Sequence, residues 1–446
     1  MQTEPAAVNT APEGLVRGIR KWDLVAVAIN GIIGAGIFGL PAKVYALIGS
    51  YSLIAFVACA IVVTLIILCF TEVGSRFDET GGPYLYAREA FGPTVGFEVG
   101  WLSWLARLTA FAANCNLMVS YLAFFWPGAS APLQRAVIIT AVVISLAAIN
   151  FIGVRQAAIA SDFFTIGKLI PLLIFIAGGL FFLKPHAFAF GPRPSTGAFS
   201  QSVLLLIFAF TGFEMAAIPA GEVRDPRRNL PRALLIATGV VATTYILVQV
   251  VCVGTLPQLA NSTKPLADAA QNFMGTAGAA IISAGAIISI AGNLNILVLS
   301  GSRLPFAFAE QKQLPQLVAR VHRQFLTPHV AIAITASAML ILTLKSSFVA
   351  ALTISAIARL VTYAATCAAL PVLRRRSGVP AALFRVRGGP IIAVAALILA
   401  VWLLANSTLR EAVTAVIAAA VGMAIYSAYR IVRYNARHQE KRDEST

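Results

Sequence analysis

Two short stretches interrupt otherwise apolar, membrane-length runs: GIIGAGIF at Gly31 to Phe38 and FAFTGFE at Phe208 to Glu214. Gly31, Gly34 and Gly36 give the first stretch the freedom to leave the helix, and Pro41 lacks the N–H that an unbroken ladder would use. Opening the helix there exposes N–H groups around Gly34, Ala35 and Gly36 at the start of an outer half, and carbonyls near Ile32 at the end of an inner half. The N-terminal end of a half-helix attracts an anion and the carbonyl end a cation. Irregular backbone is tolerated at mid-membrane only where protein or a water-filled cavity satisfies it. The chemistry on offer is noncovalent: a small solute bearing both charges, such as an α-amino acid zwitterion, fits between the two ends. Close packing, the plainer use of glycine in membrane helices, competes with this reading.

In the second stretch Thr211 and Gly212 mark the break, and Glu214 begins the following half-helix. A carboxylate there is either a structural cap for free N–H groups or a proton carrier. Phe208, one turn before the break, is either a lid over the solute or an ordinary membrane phenylalanine. Lys168 lies in the apolar run FTIGKLIPLLIF. A cation at the bilayer centre costs ~2.5 to 3.5 kcal/mol on insertion scales, so it faces a cavity or a partner. Its two uses are proton coupling and a fixed charge filling a cation site. Arg107, Phe111, Asn114 and Met118 fall four, three and four apart and share one helix face, which combines charge, ring and amide. Arg359 is a third deep cation. Against these three cations the one equally deep carboxylate is Glu214, with Asp162 and Glu98 near span ends. The imbalance favours a solute carrying a carboxylate; the competing arrangement ties Arg107 or Arg359 to helix carbonyls or to Glu98.

These groups need helices to carry them across a bilayer, and the composition supplies them. Of 446 residues 59% are hydrophobic and 12% charged, too few charges to clothe a water-soluble globule. Mean hydropathy is +0.82. Apolar stretches of the ~20 residues that cross a hydrocarbon core recur throughout. They lie near 22–48, 51–75, 94–126, 132–153, 161–183, 200–221, 233–256, 274–302, 328–344, 348–372, 389–406 and 411–430. The expected fold class is therefore an all-α polytopic membrane protein of twelve spans. The breaks fall in the first and sixth, so the repeating unit is five spans long. An odd unit must re-enter from the opposite side, which gives an inverted repeat with the solute at the repeat interface. Repeat one covers about 22–183 and repeat two about 200–372, with additional spans over 389–431. Residues 1–20 and 432–446 are tails.

The formal net charge of +16 reflects topology and not nucleic-acid binding. With a cytoplasmic N-terminus, 24 of the Lys and Arg residues fall on the tails and even-numbered connections and 6 on the opposite side. The remaining 4 (Lys43, Arg107, Lys168, Arg359) lie in or beside spans. The positive-inside rule thus places both termini in the cytoplasm, and the expected location is the inner (plasma) membrane. Cys59, Cys69, Cys115, Cys252 and Cys367 lie in apolar segments without CxxC pairing, so neither a disulfide framework nor a metal site is expected. None of His186, His322, His329 and His438 is placed as a base, and there is no deep Asp pair, which leaves a membrane-embedded enzyme without its machinery. No cofactor is expected. A channel would need a lined pore with several weak sites. The connection GEVRDPRRNLPRA after the sixth span reads as a gate-lining or orientation-setting turn.

GIIGAGIFGLP, the lysine of GKLIPLL, FAFTGFE followed by EVRDPRRNLPRAL, and SRLPFAFAEQKQLP to TPHVAI together resemble the amino acid–polyamine–organocation (APC) superfamily of permeases, from about Trp22 to Arg376. The resemblance implies a leucine-transporter-type 5+5 inverted repeat with helices 1 and 6 broken, and transport of amino acids or related amines by alternating access. It implies carboxylate contacts at the N–H groups of Ala35 and Gly36, amino contacts at the carbonyls of Ile32, Phe208 and Thr211, and Phe208 as gating ring. The third-span wall would fall on Ala106, Arg107, Ala110, Phe111 and Asn114. Lys168 resembles the fifth-span lysine that, in sodium-independent members, stands where sodium binds in relatives. Ala35 replaces a serine of some members, and Arg107 departs from the usual pocket. The expected activity is sodium-independent amino acid transport, as proton symport or, alternatively, as exchange or polyamine transport. Gly36→Leu is expected to abolish binding and leave a folded protein.

Overall fold

The computed structural model describes residues 19–78, 81–152, 154–217 and 223–443, with 154–166 and 432–443 as backbone only. Fourteen α-helices account for most of the described residues. They are α1 (Lys21–Ile32), α2 (Ala35–Ile48), α3 (Ser52–Gly74), α4 (Pro83–Phe91), α5 (Pro93–Leu122), α6 (Pro132–Ile152) and α7 (Val154–Gly179). There follow α8 (Thr196–Phe210), α9 (Pro226–Thr255), α10 (Pro265–Glu310), α11 (His329–Lys345), α12 (Phe348–Arg375), α13 (Gly389–Ala405) and α14 (Leu409–Asp443). The molecule is an all-helical, polytopic membrane protein. Seven helical runs are long and apolar enough to cross a bilayer by length and composition, and three shorter apolar helices accompany them. The thirty-residue α5 is not among them because Arg107, Asn114 and Asn116 lie within it.

Helix α1 stops at Ile32; Ile33 (φ −74°, ψ 95°) is extended, Gly34 (φ −125°, ψ −144°) is non-helical, and α2 resumes at Ala35. Pro41 lies inside α2, past the opening, so the glycines and not the proline break the helix. Helix α8 ends at Phe210, Thr211 is extended, and Gly212 adopts φ 110° before a 3-10 turn over Phe213–Ala216. Glu214 is therefore in a tight turn and not in a regular half-helix, whose continuation at 218–222 lies outside the described residues. Around the breaks pack α5, α10 and α12, with α7 against α10 and α9 against α1 and α3.

At the end of the bundle where α1 begins, Glu72 of α3 is fully buried. Its Oε1 accepts from Arg374 Nε (2.6 Å), and its Oε2 from Arg374 Nη2 (2.7 Å) and Val386 N (2.9 Å). The sequence placed Glu214 as the one deep carboxylate; Glu72 is a second, overlooked because it closes an apolar run. Arg227, in the connection after the sixth span, donates to Ser75 O (2.9 Å) and to Ala381 O, and Arg76 donates to Pro380 O (3.1 Å). These bonds bolt the 376–388 connection onto the end of α3. Arg374→Gln, which loses the charge-assisted fork, is expected to destabilise the protein by about 2 kcal/mol. The check is the melting temperature of the purified protein; an unchanged value contradicts the arrangement.

Candidate functional site

The two breaks touch. A Cβ built on Gly212 would lie 2.1 Å from Gly31 O, and one on Gly31 would lie 2.6 Å from Gly212 O. Only residues without a side chain bring these backbones together, so the glycines serve the break and its packing at once. Between the breaks is a cavity of about 20 Å³, room for about one water molecule. Gly31, Ile32, Gly34, Ala35 and Gly36 line it from the first break, Phe208, Thr211 and Met215 from the second. Ala110 and Asn114 of α5, Asn293 of α10 and Arg359 of α12 close it.

The backbone groups at the breaks are engaged by protein. Ala35 N donates to Asn114 Oδ1 (2.9 Å), Asn114 Nδ2 to Asn293 Oδ1 (2.8 Å), and Asn293 Nδ2 to Gly31 O (3.4 Å). The Asn114 oxygen thus sits where the sequence placed a carboxylate. Tyr245 of α9 donates its hydroxyl to Ile32 O and Ala209 O, both at 3.2 Å, and Thr211 Oγ1 donates to Phe208 O (2.8 Å). Carbonyls at the two breaks are thereby satisfied in this conformation.

Lys168 is fully buried. Its Nζ donates to Ile33 O (2.9 Å), to Asn30 O (3.1 Å) and to Asn30 Oδ1. An ammonium has three N–H donors, and three oxygens at the carbonyl end of α1 accept from it, the polarity a helix C-terminus favours. Glu214 and Arg359 form a buried ion pair. Glu214 Oε2 also accepts from Tyr363 Oη (2.6 Å) and Gly212 N (2.9 Å). Glu214 therefore caps the second break through Gly212 and tethers it to α12.

The expected site residues divide accordingly. Ile32, Gly34, Ala35, Gly36, Ala110, Asn114, Phe208 and Thr211 meet at the cavity, while Ala106, Arg107 and Phe111 do not line it. Arg107 lies seven residues before Asn114, ~10.5 Å along the helix axis. It donates to Ser103 O (2.7 Å) and Ser300 Oγ (3.3 Å), the carbonyl-bound arrangement and not a pairing with Glu98. Ala106 contributes its carbonyl to Ser355 Oγ (2.8 Å), a packing contact between α5 and α12. The cation surplus shrinks, because Arg359 has its own carboxylate; the side chain of Asp162 lies outside the described residues. Gly36 also departs from expectation: a Cβ there would be 2.6 Å from Ala209 Cα. Gly36→Leu forces α2 and α8 apart and cannot separate binding from folding. Asn293 and Tyr245 went unseen in the sequence, the first in a run of small residues, the second on a distant helix.

A family model described as amino acid permease matches residues 19–428. Among similar proteins, the serine/threonine exchanger SteT of Bacillus subtilis is 33% identical over 76% of this chain and 79% of its own. An uncharacterized transporter of Mycobacterium tuberculosis is 29% identical over 98% of this chain and 97% of its own. The methylthioribose transporter of B. subtilis is 28% identical over 73% and 74%, respectively.

Proposed function

The chain belongs to the amino acid permease family, and from that premise we propose that it carries amino acids across the cytoplasmic membrane by alternating access, independently of sodium and coupled to protons. It is a multi-pass membrane transporter and not an enzyme. In the proposed arrangement twelve spans form a 5+5 inverted repeat, both termini are cytoplasmic, and solute binds where the two breaks meet.

The observation that carries this reading is the contact of the breaks around a cavity lined by half-helix ends of opposite polarity. The solute carboxylate takes the Ala35 and Gly36 N–H groups by displacing the Asn114 carboxamide. Its ammonium takes the Ile32 and Phe208 carbonyls in place of the Tyr245 and Thr211 hydroxyls. A volume of about 20 Å³ is far below that of any amino acid, so binding requires the breaks to separate. The bonds that release on separation are those that the solute replaces, which ties occupancy to the conformational change. Lys168 supports sodium independence, since its ammonium fills the carbonyl-lined cation position. Loss of its proton would leave the amine two N–H donors for three oxygens and remove the positive charge at the carbonyl end of α1, loosening the tie that holds α1, which supports a coupling role.

Exchange is the second reading, favoured by one observation: a relative 33% identical is a serine/threonine exchanger. Labelled amino acid uptake into proteoliposomes separates the two. Accumulation in empty vesicles driven by an inward proton gradient is expected for symport; uptake only into preloaded vesicles would replace it with exchange. No uptake of any amino acid would overturn the substrate class.

A further inference from the structure

The lining that α5, α10 and α12 contribute to the cavity offers more uncommitted hydrogen-bond donors than uncommitted acceptors. Arg359 lines it, is 5% exposed, and spends Nη1 on Glu214, while its Nε is buried with no hydrogen-bond partner among the described residues. A guanidinium has five donors and no acceptor. Glu214 has both oxygens engaged, by Arg359, Tyr363 and Gly212, so its lone pairs are largely committed. The Asn114 and Asn293 oxygens accept from Ala35 N and Asn114 Nδ2, leaving one N–H of each amide over. Thr211 spends its hydroxyl proton on Phe208 O. Arg107, which does not line the cavity, adds a second buried positive charge that interacts electrostatically with Glu214.

We infer that Arg359 is a specificity-determining residue, its free Nε donor selecting amino acids whose side chain ends in a hydrogen-bond acceptor (hydroxyl, amide or carboxylate) and its wall rejecting cationic side chains and polyamines. The inference rests on the amino acid transport proposed above. The solute's backbone groups occupy the breaks, and its side chain extends toward α5, α10 and α12. An acceptor there satisfies the orphaned Nε. An apolar side chain of the same shape leaves that donor buried and unpaired, and a cationic one adds like charge to a wall of donors. Sites that hydrogen-bond a ligand group discriminate strongly against analogues that lack it.

The test is competition by isosteric pairs in proteoliposome uptake: threonine against valine and asparagine against leucine, with lysine and putrescine as cationic probes. Because the members of a pair have equal bulk, the cost of widening the cavity cancels from each ratio. The wild-type protein is expected to prefer threonine to valine by about tenfold or more, with no competition from lysine or putrescine. Arg359→Lys keeps a positive charge beside Glu214 but removes Nε, and is expected to lower the threonine-to-valine ratio about tenfold by slowing threonine alone. Equal slowing of both substrates would make Arg359 a structural ion-pair partner and overturn the inference. So would a wild-type protein that carries valine as well as threonine, or one inhibited by lysine, measurements that need no variant. A wild-type protein that carries no amino acid at all would instead sink the transport reading on which the inference stands.

Discussion

Gly212→Ala is expected to abolish solute binding and to destabilise the protein by on the order of 4 kcal/mol. Two costs add. The residue holds φ 110°, a conformation that a side chain resists by roughly 1 to 2 kcal/mol. The new Cβ would also lie 2.1 Å from Gly31 O, 2.7 Å from Gly31 C and 3.2 Å from Ile32 N. None of these is the yielding tip of a side chain; all are backbone of the opposite break. Relief requires the two breaks to part by about an ångström or the 211–213 turn to refold, and that turn carries the Gly212 N–H to Glu214. Gly239→Ala in α9 is the control, since a Cβ there meets nothing within 4 Å, and it is expected to leave binding intact and stability equal or slightly higher. Ligand-induced stabilisation in a thermal-unfolding assay reads both quantities on one sample. A Gly212→Ala protein that binds solute like the wild type would show that the contact of the breaks is incidental.

The breaks were legible in the sequence because glycine clusters stand out in apolar runs, and Lys168 because a charge in such a run demands an explanation. Asn114 was legible through helix periodicity, but the same periodicity placed Arg107 and Phe111 beside it. A shared face fixes direction and not depth, and the cavity is only one turn tall on α5. Arg359 could be recognised as deep without its partner, because pairing it with Glu214 requires knowing how α12 packs against the second break. Asn293 is one of two asparagines in SIAGNLNIL, and choosing between them needs the rotation of α10. The hydroxyl of Tyr245 approaches the breaks from a helix whose own sequence carries no mark of the site, and that of Tyr363 lies one turn beyond Arg359, whose charge marked the helix but not the tyrosine. Gly36 was legible as flexible but not as packed, since the Ala209 backbone against it comes from the other half of the chain. Local irregularity is thus written locally, whereas the groups that satisfy it are set by tertiary packing.

Lys168→Ala is expected to remove the response of uptake to a proton gradient and to lower the melting temperature, leaving one-for-one exchange measurable in preloaded vesicles. The substitution takes away the donor that reaches both Ile33 O and the Asn30 carbonyl, at the point where α1 ends and the chain turns into the break. In the wild type the charged amine ties α7 to that end, and loss of the proton weakens the tie; the position of α1 then depends on protonation. With alanine there is no proton to bind and no tie to release, so α1 is permanently loosened. Binding through the Ala35 and Ile32 backbone groups does not use the amine, which is why exchange persists while gradient dependence disappears. Uptake at a fixed internal pH, with the external pH stepped downward, provides the reading. A gradient response equal to that of the wild type removes Lys168 from coupling and leaves it as a fixed cation at the end of α1. Loss of exchange together with the gradient response, in a protein that still unfolds cooperatively, would place the amine in the solute site itself.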